Sequence, residues 1–339
     1  MTSKSTTYFR LILSYLWLIL LPFCTLLESV EQNQDTLARE TELLKERSKD
    51  LIQFYDLKNG EDIREITADL LNSPLIIESR KPAIRANERR IFVFTYPSDG
   101  LMIKGLISYI PNPQKQRTMI LTRGGNNFIA LLDPASRLMN LETYTVISSA
   151  LRGAVSEGRD EFGGEDVNDI KNLIDYIPIL EEKLQIHLQK EKMIMLGPSR
   201  GAMQMFLFLS RYPEMQSQFA KIVSLSGILD IRQYIRERPD MKTMFIQDFG
   251  LIEKGNLDEW ADRRDPLLTA DKIRRDLPIL ILQGSADNRV SLEHGYNMVS
   301  TLQSNENEVT YWEIDGGNHC LSNMDDLTSR IYSWVENGK

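Results

Sequence analysis

A serine lies between two glycines in Gly197-Pro198-Ser199-Arg200-Gly201, after the apolar run Met193–Leu196 and before a helix-favouring stretch that begins near Ala202. A hydroxyl is a weak nucleophile at neutral pH. A serine that does covalent chemistry therefore needs a base close by and a place for the negative charge that develops on the attacked carbonyl. A sharp turn between a strand and a helix serves both needs, because it exposes the hydroxyl and aims the helix N-terminus at the oxygen. Glycines beside the serine allow the close backbone approach that such a turn demands. The five-residue pattern alone is weak. Its strand–turn–helix setting favours a nucleophile over an incidental serine in a glycine-rich turn.

The choice of base is narrowed by scarcity, since the chain holds three histidines, His187, His294 and His319. His187 precedes the serine, between Ile186 and Leu188, and reads as a helix-end residue. His294 reads as part of a helix. His319 follows the apolar run Val309–Ile314 in Gly316-Gly317-Asn318-His319, where the end of a last strand would present it. Asp287 stands in the same relation to Pro278–Gln283, in Gly284-Ser285-Ala286-Asp287. Asp315 is the rival acid, but it is too near His319 in sequence to support it easily from another strand. The expected constellation is Ser199 as nucleophile, His319 as base and Asp287 orienting the base. Cys320, next to His319, reads as a packed thiol, because a sequence neighbour does not easily place its sulfur on the imidazole.

These residues need a scaffold that gathers strand ends. From about Arg85 onward, short β-branched and aromatic runs alternate with helical periodicity. Ile91–Tyr96 and Met102–Ile110 flank the turn Pro97-Ser98-Asp99-Gly100 and read as a hairpin. Thr118–Thr122, Thr143–Ser149, Lys192–Leu196, Lys221–Ser226, Pro278–Gln283 and Val309–Ile314 read as strands. Val167, Ile170, Leu173, Ile174 and Ile177 share one helix face, and Met324–Val335 closes the chain as a helix. Alternation of this kind implies a mainly parallel sheet flanked by helices, with reacting groups at the carboxyl ends of the strands. The order serine, acid, histidine is that of the α/β-hydrolase fold. The long segment Ile228–Arg274, with Tyr234, Met241, Met244, Phe245 and Phe249, reads as a helical cap lining an acyl pocket or as a simple packing insertion.

Three domains are expected: a signal peptide or signal anchor over 1–29, a helical extension over 30–84, and the catalytic domain over 85–339. Lys4 and Arg10 precede an apolar run from Leu11 to Leu27, and Glu28, Glu31 and Asp35 follow it. That layout places the rest of the chain outside the cytoplasm, either secreted or held at a membrane by its N-terminus. In the extension, Val30, Leu37, Leu44 and Leu51 recur every seven residues, half of a coiled-coil seam. A short helix is expected over Glu61 to Leu71.

A formal net charge of −8 lacks the positive field that nucleic acid requires. Two cysteines, Cys24 and Cys320, give no disulfide framework or cysteine-based zinc site, and no metal or cofactor is expected. Arg152, Glu157, Asp160 and Glu161 read as charged loop residues beyond a strand end, in structural pairing rather than bound to substrate.

From about Tyr96 to Val335 the chain resembles the catalytic domain of the prolyl oligopeptidase family of serine peptidases. The resemblance rests on Tyr96-Pro97-Ser98-Asp99-Gly100, Arg123-Gly124-Gly125-Asn126, Arg152-Gly153 and Ser156-Glu157-Gly158-Arg159-Asp160-Glu161-Phe162-Gly163-Gly164, with Asp166 and Asp169. It continues in the serine turn, Arg264-Asp265-Pro266, Gln283–Asp287 and Gly316–His319. It implies hydrolysis of peptide or ester bonds through an acyl-enzyme, with backbone N–H groups of Gly125 and Arg200 as the oxyanion hole. Two departures stand out. The stretch between the apolar run and Arg85 leaves no room for the family's β-propeller, and Arg123 stands where larger members carry His or Tyr. The triad is common to peptidases and carboxylesterases, so both readings stay open. An inactive binding or scaffold protein on the same fold is a third reading.

Overall fold

The computed structural model describes residues 36–338 except 59, 113–115, 128, 142 and 248–256. The apolar run Leu11–Leu27 lies outside the described residues. Among the described residues no helix is long and apolar enough to cross a membrane. The chain divides into two compact units, Met1–Leu44 and Lys45–Lys339. Residues 36–51 are helical (α1).

Among the described residues nine strands form one sheet: β1 (Ile63–Glu65), β2 (Arg90–Ser98), β3 (Leu101–Tyr109), β4 (Gln116–Thr122), β5 (Thr145–Ser149), β6 (Leu188–Pro198), β7 (Phe219–Leu225), β8 (Ile279–Gly284) and β9 (Val309–Ile314). Their order is β1-β2-β3-β5-β4-β6-β7-β8-β9. The first four in that order pair antiparallel, and from β5 to β9 every pairing is parallel. This is the α/β-hydrolase architecture. The β2–β3 hairpin turns through Asp99 and Gly100, both left-handed (φ 51 and 81), which suits the twist of the flanking strands.

The core follows the two-residue period of the strands. Ile120, Ile147, Met195, Ile222 and Ile281 point to one face, where α4 (Asp166–Leu184), α5 (Arg200–Arg211) and α9 (Leu292–Ser304) cover them. Met119, Leu121, Val146, Leu196 and Val223 point to the other. That second face is covered by α2 (Thr67–Asn72), α3 (Lys81–Arg85), the buried Leu51, Phe54 and Tyr55, and α10 (Leu327–Asn337). Three short helices between β7 and β8 make the cap: α6 (Ile231–Glu237), α7 (Pro239–Gln247) and α8 (Leu257–Asp262).

One expected element is different. Of the helix expected over Glu61 to Leu71, Ile63–Glu65 is a strand that pairs with Phe92–Phe94, and the helix starts at Thr67. Ladder bonds to the otherwise open edge of β2 outweigh local helix preference over these three residues.

Candidate active site

Ser199 sits between β6 and α5 with φ 54 and ψ −124, a conformation that a residue with a side chain adopts only when its surroundings impose it. The imposition is visible. Ser199 N–H donates to the Leu225 carbonyl on β7 (2.8 Å), and its own carbonyl accepts from Ala202 (3.0 Å) and Ile228 (3.2 Å). Gly201 is required by packing, since a Cβ there would lie 2.1 Å from the Thr122 carbonyl oxygen. The turn therefore presses against the end of β4.

The structure brings His319 and Asp287 to this serine. Ser199 Oγ is 3.0 Å from His319 Nε2, and His319 Nδ1 is 2.9 and 3.0 Å from the two oxygens of Asp287. An ionised carboxylate only accepts, so Nδ1 carries the proton and the Nε2 lone pair faces the hydroxyl. The Asp287 side chain is fully buried, and Oδ1 also accepts from the N–H groups of Arg289 (2.9 Å) and Val290 (3.0 Å). Burial alone would raise its pKa. The hydrogen bond and charge of His319, with those two N–H groups, more than reverse this and hold it below the usual carboxylate range. The acid and base loops are tied together by Ala286 N–H to the Gly317 carbonyl (3.0 Å), and Cys320 N–H ties the base loop to Ser226 Oγ just past β7 (3.0 Å).

The rivals lie elsewhere. His294, on α9, is buried, with Nδ1 accepting from the N–H groups of Leu229 (3.3 Å) and Asp230 (3.1 Å). Its Nε2 faces Glu237 at 3.4 Å. His187 lies in the connection between α4 and β6. Asp315 accepts from Ser285 Oγ at 3.3 Å.

Gly124 and Gly125 follow β4 and lie on the serine turn: a Cβ on Gly124 would stand 3.4 Å from Ser199 Cβ. At Gly125 φ is +68, and a Cβ would meet the Ile129 carbonyl oxygen at 2.1 Å, so glycine is the residue that fits. The Gly124 carbonyl accepts from Arg123 Nε at 3.1 Å. A trans peptide points its N–H opposite its C=O, so this bond turns the Gly125 N–H away from the Arg123 guanidinium. Arg200 is the first residue of α5, and its N–H is one of those that the helix leaves without an internal partner.

The chain matches the prolyl oligopeptidase family over residues 155–338, more than half its length and a stretch that contains Ser199, Asp287 and His319. The chain belongs to that family. A peptidase of Bacillus subtilis (strain 168), uncharacterized and named YtmA, is 26% identical over 270 residues, covering 78% of this chain and all of that one. Among solved structures, an acylaminoacyl peptidase in complex with Z-Gly-Gly-Phe-chloromethyl ketone superposes with TM-score 0.59 at 19% identity over 72% of this chain. This chain spans 41% of that protein. An esterase of Pyrococcus furiosus superposes with TM-score 0.54 at 14% identity, over 75% of this chain and 93% of that one. The solved structures establish the shared fold. The family match makes this chain a serine hydrolase.

Within this family member, several charged groups do what their types alone do not announce. Arg123 is buried and spends its guanidinium on carbonyls: Gly124, Ala150 (3.0 Å) and Asn127 (3.1 Å). Arg152 binds Asp169 (2.8 Å) and Asp99 (2.8 Å). Asp160 accepts from Asn127 N–H (2.7 Å) and from Arg200 Nη1 (2.7 Å). The loop is thus paired with the protein around it rather than within itself, and its principal partner is the side chain of the residue after the serine. That partnership has no signal in the spacing of the sequence. In the cap, Phe245 does not line a pocket; it is fully buried against Phe162 (4.6 Å) and Trp260 (4.8 Å). Met244 is the cap residue beside the glycine turn, its sulfur 3.2 Å from Asn126 Nδ2. Phe249 lies outside the described residues.

Cys320 departs from the expected packed thiol. It is half-buried, with a left-handed backbone (φ 57) followed by Leu321 (φ 50). Burial by itself disfavours the His319 imidazolium. The Cys320 sulfur and then the Asp287 carboxylate outweigh it, and the ring is raised above its ordinary range. A base works when deprotonated, so kcat/KM should fall as pH drops through the raised pKa, at an inflection above the usual ~6.5. Cys320→Ala should move that inflection downward. A pH–rate profile identical in the two proteins would show that the sulfur leaves the base untouched.

Proposed function

We propose that this chain cleaves amide bonds of peptides through an acyl-enzyme on Ser199. The observation that carries the proposal is the continuous line Ser199 Oγ–His319 Nε2–Asp287, at 3.0 and 2.9 Å. His319 Nε2 takes the Ser199 proton as Oγ bonds to the substrate carbonyl carbon. The N–H groups of Gly125 and Arg200 hold the resulting oxyanion. The tetrahedral species collapses when His319 returns the proton to the leaving amine. Water then repeats the sequence, giving its proton to His319, releasing the acid and restoring Ser199.

Family membership supports a peptide substrate. An ester-cleaving reading is favoured by one observation: the Pyrococcus furiosus esterase shares the fold over 93% of its own length. Activated p-nitrophenyl esters do not separate the two, because their leaving group needs no proton. The deciding assay sets short aminoacyl and acylaminoacyl amides against unactivated alkyl esters of rising chain length. We expect some amide with kcat/KM within about two orders of magnitude of the best ester, ~3 kcal/mol in transition-state stabilisation. Robust ester turnover with no amide cleavage would make carboxylesterase the better name.

The basic residues before Leu11–Leu27 and the acidic ones after it support a location outside the cytoplasm, secreted or membrane-held. Fractionation should find the full chain there, and deletion of the residues before Glu31 should leave activity intact. A full-length protein found soluble in the cytoplasm would refute this.

A further inference from the structure

Among the described residues Arg200 has the largest fully buried side chain, next in sequence to the proposed nucleophile. A buried guanidinium costs several kcal/mol unless it is paired with carboxylates in good geometry. Here it is gripped by two buried carboxylates, with Asp160 at 2.7 Å and Asp166 closer still, and its charge lies 4.6 Å from the centre of the Phe162 ring. Each carboxylate is itself fixed. Asp160 accepts from the N–H groups of Asn127 and Phe162, and Asp166 from the N–H of Gly163 and the Gln204 amide.

The cluster also holds a carbonyl of the glycine turn. Arg200 Nη1 donates to the Gly125 carbonyl at 3.0 Å. The Gly124 carbonyl is held by Arg123, the Gly125 carbonyl by Arg200, and the Asn127 N–H by Asp160, which also holds Arg200. Three successive points of the glycine turn are therefore clamped from behind. Gly125, whose left-handed conformation gives the turn its softest dihedrals, lies between the first two clamps.

We infer that the Arg200 guanidinium, held by Asp160 and Asp166, is a positioning group that fixes the glycine turn so that the Gly125 N–H meets the developing oxyanion. Residue 200 then contributes twice: its backbone N–H faces the oxyanion from the helix side, and its side chain sets the opposing donor from behind. This rests on the oxyanion hole of the proposed mechanism and names what keeps it in register. A donor displaced by about 1 Å can cost on the order of 100-fold in rate, while substrate in the ground state depends little on it.

Arg200→Lys retains the backbone N–H and the charge but loses the fork that reaches Asp160, Asp166 and the Gly125 carbonyl together. Asp160→Asn keeps the shape and weakens the clamp from the other side, so either variant suffices if one does not fold. Active serines are counted by exhaustive fluorophosphonate labelling, and kcat is expressed per labelled serine. We expect kcat to fall about 10- to 100-fold with KM changed less than about twofold, and a trifluoromethyl ketone, whose adduct carries the oxyanion, to bind weaker by a similar factor. Arg152→Lys, in the neighbouring buried ion pair with Asp169, serves as a control that loses stability but keeps kcat per labelled serine. A kcat per labelled serine within about twofold of wild type in the folded variants overturns the inference, as does a fall in kcat with unchanged ketone affinity. Turnover that survives Ser199→Ala would instead overturn the mechanism beneath it.

Discussion

Ser199→Ala should abolish fluorophosphonate labelling and lower kcat by about a millionfold, the size of effect that follows removal of the nucleophile in a serine protease triad. The argument is geometric. Labelling requires a hydroxyl whose proton has an acceptor and whose adduct oxygen has donors, and Ser199 has His319 Nε2 at 3.0 Å and the start of α5 beneath it. The substitution removes one oxygen from a turn held by main-chain bonds to Leu225, Ala202 and Ile228, so the fold should persist. Retention of the far-UV spectrum and melting temperature would separate lost chemistry from lost structure. Labelling that survived the substitution would place the reactive serine elsewhere.

The second large effect is a crossing of two histidine substitutions. His319→Ala should cost kcat about as much as loss of the serine, because residues of a triad act as one unit. Its loss leaves the buried Asp287 carboxylate with the N–H groups of Arg289 and Val290, a cost to stability that is secondary to the cost to kcat. His294→Ala should do the reverse. It would leave a cavity and two buried N–H groups, those of Leu229 and Asp230, without their acceptor, at about 2–4 kcal/mol. Its kcat should stay within about tenfold of wild type, since it takes no part in the proton transfers. Thermal melts and kinetics on the same two preparations decide the matter. If His294→Ala proved the inactive but stable variant, the base would be misassigned.

What could be read from the sequence follows a physical pattern. The parallel sheet was legible because its strands are buried on both faces and read as apolar runs ended by glycine. Asp287 and His319 could be placed because each follows such a run, and a strand end fixes where its loop begins. Ile63–Glu65 was not legible as a strand: three residues carry no period, and their pairing with β2 is a long-range event. The Arg200 cluster was hidden for a related reason. Ion pairs between residues 160, 166 and 200 depend on side-chain direction in a folded turn, and charge type alone does not encode it.

The serine and its base are separated by 120 residues of chain, with β7, β8 and β9 between them. During synthesis the turn that carries Ser199 emerges well before His319 exists, and each of the three intervening strands adds to the growing edge of the sheet. A chain folding in that order passes through states in which the hydroxyl is placed but has no proton acceptor. Reactivity therefore arrives in one late step, when β9 docks and delivers its loop. Such timing keeps a nascent hydrolase chemically silent until its sheet is complete, and it makes covalent labelling of Ser199 a clock for the final stage of folding.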